Sequence, residues 1–146
     1  MSITVREARP ADAPAVVRLI LELAATIGED SPITEDYAAK YLSSPGSTVL
    51  LAETRGQAVG LLSYSVRPDL YHSAGSCLIE ELIVQESARR QGVGSLLMTK
   101  LLSRLAASDC AEVSVATMSS NTEAIEFYRR HGLVDDAVFL EQHFNR

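Results

Sequence analysis

The chain has 146 residues, of which 47% are hydrophobic and 22% charged, and its formal net charge at pH 7 is −6. This length fits a single domain, residues 1–146, that can bury its own core. The acidic balance without a long basic stripe argues against general affinity for nucleic acid, and no apolar run reaches membrane-spanning length, so neither nucleic acid nor a membrane is an expected partner.

The amino-terminal residues predict a strand followed by two helices. Ile3 and Val5 alternate with polar neighbours, as in a short strand. Asp12 is the predicted N-cap of the first helix, which ends near Gly28, and Ser31-Pro32 is a start signal for the second. Because the residues before the first helix are rich in charge, they are unlike a signal peptide, and the cytoplasm is the expected compartment.

Three further strands are predicted between residues 49 and 84. The β-rich runs 49–53 and 58–66 form a hairpin, and residues 67–76 are expected to be a loop. Residues 77–84 follow as the fourth strand, apolar except for Glu80 and Glu81. A strand this apolar accommodates carboxylates only where they are paired or exposed to a cleft.

The run Arg-Arg-Gln-Gly-Val-Gly at residues 89–94 connects this strand to a third helix that begins near Ser95. Its glycines let the backbone approach a ligand closely, and the first N–H groups of the helix point at a bound anion. The arginines add forked donors that match phosphate oxygens. The run therefore predicts a phosphate site, with a plain connection carrying solvated arginines as the alternative.

Two other phosphate-binding motifs are excluded at this turn. A P-loop needs Lys followed by Ser or Thr after its last glycine, whereas Ser95 and Leu96 follow Gly94. The dinucleotide fingerprint needs glycine or alanine at the position of Leu97. The pattern that remains is Arg-x-x-Gly-x-Gly.

The rest of the chain predicts a β-α-β unit, a fourth helix and a terminal hairpin. Helical spacing of leucines follows the turn, and residues 112–117 predict a fifth strand. Ser120 and Glu123 form a capping box for the fourth helix, which ends at Gly132. Residues 133–144 contain two β-like runs split by two aspartates, which predicts a hairpin.

The two cysteines do not indicate a metal site or a disulfide framework. Cys77 and Cys110 are isolated and lack the spacing of metal ligands. We expect reduced, packed thiols and no bound metal.

The order of elements and two spaced motifs resemble the GNAT superfamily of acetyl-CoA-dependent N-acetyltransferases. The motifs are Arg89-x-x-Gly92-x-Gly94 and Asn121-x-x-Ala124-x-x-x-Tyr128-x-x-x-Gly132. The resemblance implies an α/β (α+β) fold with a mixed, mostly antiparallel sheet of about seven strands and about four helices. The expected order is β-α-α-β-β-β-α-β-α-β-β, with the sheet splayed at strands four and five.

The same resemblance implies acetyl-CoA as cosubstrate, wedged into that splay. The backbone of Leu82 and Val84 would pair with the pantetheine arm, because an amide-bearing arm satisfies a strand edge. The turn would hold the pyrophosphate. Asn121 would contact the cofactor, with a turn or cap role as the alternative. The expected cofactor-binding residues are Leu82, Ile83, Val84, Arg89, Arg90, Gln91, Gly92, Val93, Gly94, Ser95 and Asn121.

An acetyl transfer to an amine needs a base for the amine proton and an acid for the departing sulfur. Glu80 is the first candidate for the base and Glu81 the second; as neighbours on a strand they should face opposite sides unless a bulge intervenes. Tyr128 is the candidate acid, since a phenol can protonate a thiolate. The alternative for Tyr128 is simple packing.

The leading interpretation is acetyl transfer to a primary amine of a small molecule, such as a polyamine or aminoalkyl compound. Glu80, Glu81 and the negative net charge favour it. The alternatives are a protein N-terminal or lysine acetyltransferase, because the motif around Asn121 and Tyr128 also resembles ribosomal-protein acetyltransferases, and a non-catalytic acyl-CoA-binding module. Expected partners are acetyl-CoA and an amine acceptor, with a homodimer as a candidate assembly.

Overall fold

The computed structural model describes residues 2–145 and contains five strands and four α-helices. Two short 3-10 turns, Pro10–Asp12 and Glu86–Ala88, lie between these elements. In chain order the strands and α-helices are β1 (Thr4–Glu7), α1 (Ala13–Thr26), α2 (Glu35–Leu42), β2 (Ser47–Thr54), β3 (Gln57–Asp69), β4 (Ala74–Val84), α3 (Val93–Ala106), β5 (Cys110–Val115) and α4 (Thr122–Arg130).

The strands form one sheet in the order β1-β2-β3-β4-β5. Every neighbouring pair is antiparallel except β4 and β5, which are parallel and joined by α3. This confirms the predicted class, a mixed and mostly antiparallel sheet flanked by four helices, and it contains the predicted β-α-β unit.

Side chains alternate between two cores, one on each face of the sheet. Leu51, Leu61 and Ile83 lie in the core beneath α1 and α2. Leu62 and Ile79 lie in the core beneath α3 and α4. The helix leucines predicted from their spacing are buried in this second core: Leu97, Leu101 and Leu105.

The expected count of about seven strands is wrong, because residues 133–144 form no strand in the structure. Their two β-like runs have strand propensity, but an isolated hairpin is marginal unless it pairs with a sheet or packs on a helix. Neither happens within residues 2–145, since β5 ends the sheet with its outer edge unpaired.

The loop expected at residues 67–76 is also wrong, because β3 and β4 continue as a two-stranded arm to Asp69 and from Ala74. Pro68 misled the prediction. It pairs with Gly75 beyond Ser65, where β2 no longer accompanies β3, so its missing N–H leaves no gap in a three-stranded ladder.

The side chains that cap the helices are not the ones expected from the sequence. Asp12 immediately precedes α1 as predicted, yet its carboxylate caps no α1 amide. Thr34, rather than Ser31, caps α2 by accepting a hydrogen bond from the Tyr37 N–H at 3.1 Å. A capping side chain is chosen by the backbone path into the helix, which the local sequence does not specify.

The Asp12 carboxylate instead ties β1 to the start of α1. It accepts hydrogen bonds from the Arg6 guanidinium at 2.8 and 2.9 Å and from the Arg9 N–H at 2.7 Å. Arg6 also donates to Glu53 on β2 at 2.7 Å. The hydrogen bond from Arg6 is the main reason that the pKa of Asp12 falls to about 2.

We expect Asp12→Asn to destabilise the fold by about 1–2 kcal/mol at pH 7, because the paired carboxylate is lost. The pKa of Asp12 is lower in the folded state, so its stabilisation is present above pH 3.8 and is lost as the pH falls through about 2. Urea unfolding at neutral pH and near pH 2 should therefore show a difference that becomes much smaller in acid. The exposed Asp135→Asn serves as control, and an unchanged difference in acid would contradict this assignment.

Within residues 2–145, no helix combines the length and the apolar character needed to cross a bilayer. The same residues contain no group of three or more His, Cys, Asp or Glu side chains arranged as metal ligands. Cys77 is buried, which raises the pKa of its thiol to about 12, and Cys110 is half-buried.

Candidate functional site

A bulge in β4 brings both predicted carboxylates to the same face of the sheet. Ser63 on β3 pairs with Glu81, but the next residue, Tyr64, pairs with Ile79, so Glu80 is the extra residue. Ser63 Oγ donates to Glu81 Oε1, and Ser65 Oγ donates to Glu80 Oε2 at 3.1 Å. The two serines are two residues apart on one strand and share a face, so the carboxylates meet beneath α1 and α2.

Glu81 is held more tightly than Glu80. Ser63, which is buried, accepts a hydrogen bond from the Glu81 N–H at 2.9 Å and donates its own proton to the same residue's carboxylate. Burial raises the pKa of Glu81, and the neighbouring charge of Glu80 raises it further, while the Ser63 hydrogen bond works in the opposite direction. Glu80 is exposed. The pKa of the half-buried Glu81 carboxyl therefore lies above the ordinary value of a glutamate.

Tyr41 of α2 lies near the two carboxylates. Burial raises the pKa of its phenol, and the charges of Glu81 and Glu80 contribute to the rise. The site beneath α2 therefore combines two acids with an aromatic hydroxyl. This arrangement favours a positively charged group.

The sheet opens beside these residues. Pairing between β4 and β5 ends at Ile79 and Val115, while β4 continues to Val84. Within residues 2–145, the last five residues of β4 therefore have β3 on one side and no strand on the other. This confirms the expected splay between strands four and five.

Alternate backbone groups of β4 face the opening. The Gln85 N–H donates to the Val59 carbonyl of β3 at 2.8 Å. Because successive residues of a strand direct their backbone groups to opposite sides, Leu82 and Val84 present theirs to the free edge. Ile83 directs its backbone to β3 and buries its side chain in the core beneath α1.

The turn after β4 leads directly into α3. Arg90 and Gly92 adopt positive φ angles of 66° and 80°, which twist the chain so that the helix begins at Val93. The N–H groups of Val93, Gly94 and Ser95 have no acceptor inside the helix, and Gly92 offers no capping side chain. Three free amides at a helix start fit a phosphate.

Gly94 lies against α4 and the end of β4. A Cβ at this position would make ordinary van der Waals contacts, 3.4 Å from two ring carbons of Phe127 and 3.8 Å from Cγ2 of Val84. The first turn of α3, with its free amides, is therefore next to Phe127 and the end of β4.

The two arginines of the turn have different surroundings. Arg89 Nε donates to the Val84 carbonyl at 2.9 Å, and its Nη2 lies 3.6 Å from Glu22 of α1. Arg89 therefore braces the turn and occupies one carbonyl of the free edge, leaving the Val84 N–H available. Arg90 and Gln91 are exposed.

Tyr128 lies on the other face of the sheet from the carboxylates, in the core beneath α3 and α4. Its ring meets Phe127 edge to face at 5.3 Å between centroids. Burial raises the pKa of the Tyr128 phenol to about 12, with no charge or hydrogen bond among residues 2–145 contributing. The phenol therefore remains a proton donor throughout the neutral range.

Asn121 is the N-cap of α4, and the predicted capping box of Ser120 and Glu123 is wrong. The Asn121 side chain accepts a hydrogen bond from the Ala124 N–H at 3.2 Å. The cap is one residue later than expected because Asn and Ser are equally good N-caps, and only the chain path selects between them. The cap role of Asn121 leaves its side-chain amide N–H groups free for other partners.

Sequence reasoning missed the residues that hold the carboxylates. Ser63 orients Glu81, Ser65 orients Glu80, and Tyr41 lies near both carboxylates. A signal was present, because two hydroxyls spaced by two residues interrupt an apolar strand on one face. The sequence could not supply the register between β3 and β4 that places these serines opposite the glutamates.

Comparisons with known proteins agree with this geometry. The sequence profile described as "Acetyltransferase (GNAT) family" matches residues 16–133. An aminoalkylphosphonate N-acetyltransferase of Salmonella typhimurium is 30% identical over 129 residues, which cover 87% of this chain and 82% of that protein.

A second relative and a solved structure extend the comparison. An L-2,4-diaminobutyric acid acetyltransferase of Nocardia farcinica is 30% identical over 110 residues. The matched region covers 68% of this chain and only 55% of that protein. An aminoglycoside acetyltransferase from an uncultured soil metagenomic sample, solved in complex with sisomicin, superposes with a TM-score of 0.84 at 20% identity, covering 99% of this chain and 96% of that one. At this identity the superposition establishes a shared fold.

Proposed function

This chain belongs to the GNAT family of acetyltransferases, and on that premise we propose that it transfers the acetyl group of acetyl-CoA to a primary amine of a small di- or polyamine. The observation that carries the proposal is the pair of carboxylates, Glu80 and Glu81, held on one face of the sheet at the opening between β4 and β5. Two adjacent negative charges favour an acceptor with more than one ammonium group.

The residues around the opening fit acetyl-CoA. The free amides of Val93, Gly94 and Ser95 suit its pyrophosphate, and Arg90 can add charge from the solvent side. The backbone of Leu82 and the N–H of Val84 suit its amide-bearing arm. Acetyl-CoA supplies a thioester carbonyl that an amine nitrogen can attack.

In this proposal Glu81 is the general base. The acceptor ammonium first loses a proton to Glu81 Oε, and the neutral amine then attacks the thioester carbonyl. The raised pKa of this carboxyl brings its proton affinity closer to that of the amine. Glu80 was the first candidate for the base from the sequence, whereas the structure favours Glu81. Glu80, more exposed and held only by Ser65, binds the second ammonium of the acceptor.

Tyr128 is the proposed general acid. As the carbon–sulfur bond breaks, the Tyr128 hydroxyl donates its proton to the departing sulfur, and the attacking nitrogen releases its second proton, which through solvent restores the phenol. The free N–H groups of β4 stabilise the oxygen on which negative charge develops. Base and acid lie on opposite faces of the sheet, so the reacting atoms must sit within the opening itself. The amine then approaches from the α2 side and the thiol leaves toward α4.

The relatives named above support a small amine acceptor. One acts on an aminoalkylphosphonate and another on diaminobutyric acid, according to their names. Both acceptor types are compact, charged primary amines. The acidic site here suits the diamine type better, because a phosphonate would be repelled by the two carboxylates.

We expect Glu80→Gln to raise KM for a diamine about five-fold while leaving KM for a monoamine of the same length unchanged. A five-fold change in KM corresponds to the loss of one exposed ion pair worth about 1 kcal/mol. Thiol release from acetyl-CoA, measured across alkyl monoamines, diamines of increasing spacing and polyamines, tests this directly.

The same assay separates the other acceptor classes. Turnover of a peptide amine with none of the small amines would replace the small-molecule acceptor with a protein. Coenzyme A binding without turnover of any amine would indicate a binding module. An equal effect of Glu80→Gln on monoamines and diamines would remove Glu80 from the acceptor site.

A further inference from the structure

Two charged side chains of α1 hold the connection that leads from β4 to the turn at residues 89–94. Arg18 and Glu22 are four residues apart, so they project from the same side of the helix. The Arg18 guanidinium donates to the Ala58 carbonyl of β3 and to the Gln85 side-chain carbonyl, both at 2.8 Å. Arg18 thereby joins α1, the start of β3 and the first residue after β4.

Glu22 contacts the next part of this connection. Its Oε2 accepts a hydrogen bond from the Glu86 N–H at 2.9 Å and lies 3.6 Å from Arg89 Nη2. Glu86 begins the 3-10 turn Glu86–Ala88, and the first amide of a helical turn has no acceptor inside that turn. The Glu22 carboxylate supplies this acceptor and, through the same oxygen, a partner for Arg89.

A displacement of Glu86 would move the turn that follows it. The Arg89 N–H donates to the Glu86 carbonyl at 3.3 Å, and Ala88 between them is buried. Residues 86–89 therefore form one short unit, and α3 begins at Val93 directly after the turn. The contact with Glu22 thus helps to set where the free N–H groups at the start of α3 lie.

The backbone of the turn is strained, so it needs contacts from outside. Arg90 has a φ of 66°, in the left-handed region that residues with a Cβ rarely adopt. The side chains of Arg90 and Gln91 are exposed, so their packing contributes little to holding this conformation. The contacts that α1 makes just before these residues supply the missing restraint.

The charge of Glu22 is opposite to the charge that a phosphate site favours. A carboxylate beside the turn repels a bound diphosphate and competes with it for the Arg89 guanidinium. Charge alone therefore predicts that loss of this carboxylate strengthens the binding of an anion. A role in positioning the turn predicts that the same loss weakens binding. The two roles differ in the sign of a measurable effect.

We propose that Glu22 is a positioning residue for acetyl-CoA, which acts through the Glu86 N–H and the Arg89 guanidinium to place the free amides of α3. This inference rests on the proposed function, because it takes coenzyme A as the ligand of the turn. The helix that carries Glu22 also covers the face of the sheet on which Glu80 and Glu81 lie. A single helix thus borders the acceptor site and positions the turn that binds the coenzyme.

Calorimetric titration with coenzyme A, at constant ionic strength, tests this proposal without any amine. Glu22→Ala should raise Kd about ten-fold, because a hydrogen bond to a charged group is lost. Glu22→Gln keeps an oxygen that can accept from the Glu86 N–H, so its Kd should stay within about three-fold of the parent value. The control is Glu29→Ala, which removes the same charge from an exposed side chain just beyond α1 and should leave Kd unchanged.

Steady-state kinetics give a second readout that separates positioning from stability. In Glu22→Ala, KM for acetyl-CoA should rise about as much as Kd, whereas kcat and KM for the amine, measured at saturating acetyl-CoA, should not change. A partly unfolded variant would behave differently. It would bind coenzyme A at fewer sites per chain in the titration and would have a lower kcat.

The outcomes distinguish this inference from the proposed function. If the parent binds coenzyme A and Glu22→Ala binds it equally or more tightly, the positioning role is overturned and the proposed function stands. An equal rise of Kd in Glu29→Ala would overturn the positioning role as well. A parent that binds no coenzyme A would overturn the proposed function and this inference with it. The expected pattern of Kd without turnover of any amine would support the positioning role and overturn only the proposed acetyl transfer.

Discussion

Glu81→Gln is expected to lower kcat/KM about 10³-fold, the range that loss of a positioned general base produces. Glutamine keeps the shape of the side chain and can still accept a hydrogen bond from the Ser63 hydroxyl, so the fold should be retained. The measurement is initial rates of thiol release over a pH series. In the parent, the rate should rise with pH through the pKa of Glu81, which lies above its ordinary 4.5, and then level off. In the variant it should keep rising toward the pKa of the free amine.

Substitutions of two neighbours of Glu81 should shift the acidic limb of this pH–rate profile, the part that rises with pH, in opposite directions. Ser63→Ala removes a hydrogen bond that lowers the pKa of Glu81, so the limb should move to higher pH. Glu80→Gln removes a negative charge that raises it, so the limb should move to lower pH. A purely structural role for Glu81 predicts neither shift. If both variants kept the parent limb while Glu81→Gln was inactive, Glu81 would not be the titrating base.

Tyr128→Phe is expected to reduce kcat about 10²-fold with little change in KM for acetyl-CoA, because the proton for the departing sulfur is lost. The phenylalanine ring preserves the edge-to-face contact with Phe127. The effect should shrink with an acetyl thioester whose thiol has a lower pKa, since that sulfur leaves without protonation. Because the pKa of Tyr128 is about 12, the parent should show no loss of this acid below pH 10.

The control for Tyr128 is the second buried tyrosine, Tyr64, whose hydroxyl accepts a hydrogen bond from Arg104 at 3.2 Å. Tyr64→Phe should lower the midpoint of thermal unfolding and leave kcat unchanged. A Tyr128→Phe enzyme with full activity on both thioesters would remove the general acid from the mechanism.

Local chemistry made much of the fold and the phosphate turn predictable from sequence. The helices carry apolar residues at helical spacing, and Gly92 stands where a strand meets a helix and a positive φ is needed. These features depend on residues near one another in the chain. The motif at Tyr128 likewise covers a single helix and the residues that flank it.

Features that depend on pairing between distant residues were not predictable. The hairpin expected at residues 133–144 failed because strand propensity needs a partner edge, and the arm at residues 67–76 formed despite Pro68 because Gly75 and its neighbours supplied one. Asn121 replaced Ser120 as a cap for a similar reason, since the backbone path selects between two suitable side chains.

What the sequence by itself determined is the family, the class of sheet, a turn whose free amides suit a phosphate, and the set of acids and phenol from which a mechanism can be built. Only the tertiary structure decided how they are used. The pairing of Ser63 with Glu81 and of Tyr64 with Ile79 makes the bulge, and the bulge turns two neighbouring glutamates to one face instead of two. Ser63 and Glu81 are eighteen positions apart in the chain, and the register that pairs them is set by packing across the whole sheet, so no local stretch of sequence contains it.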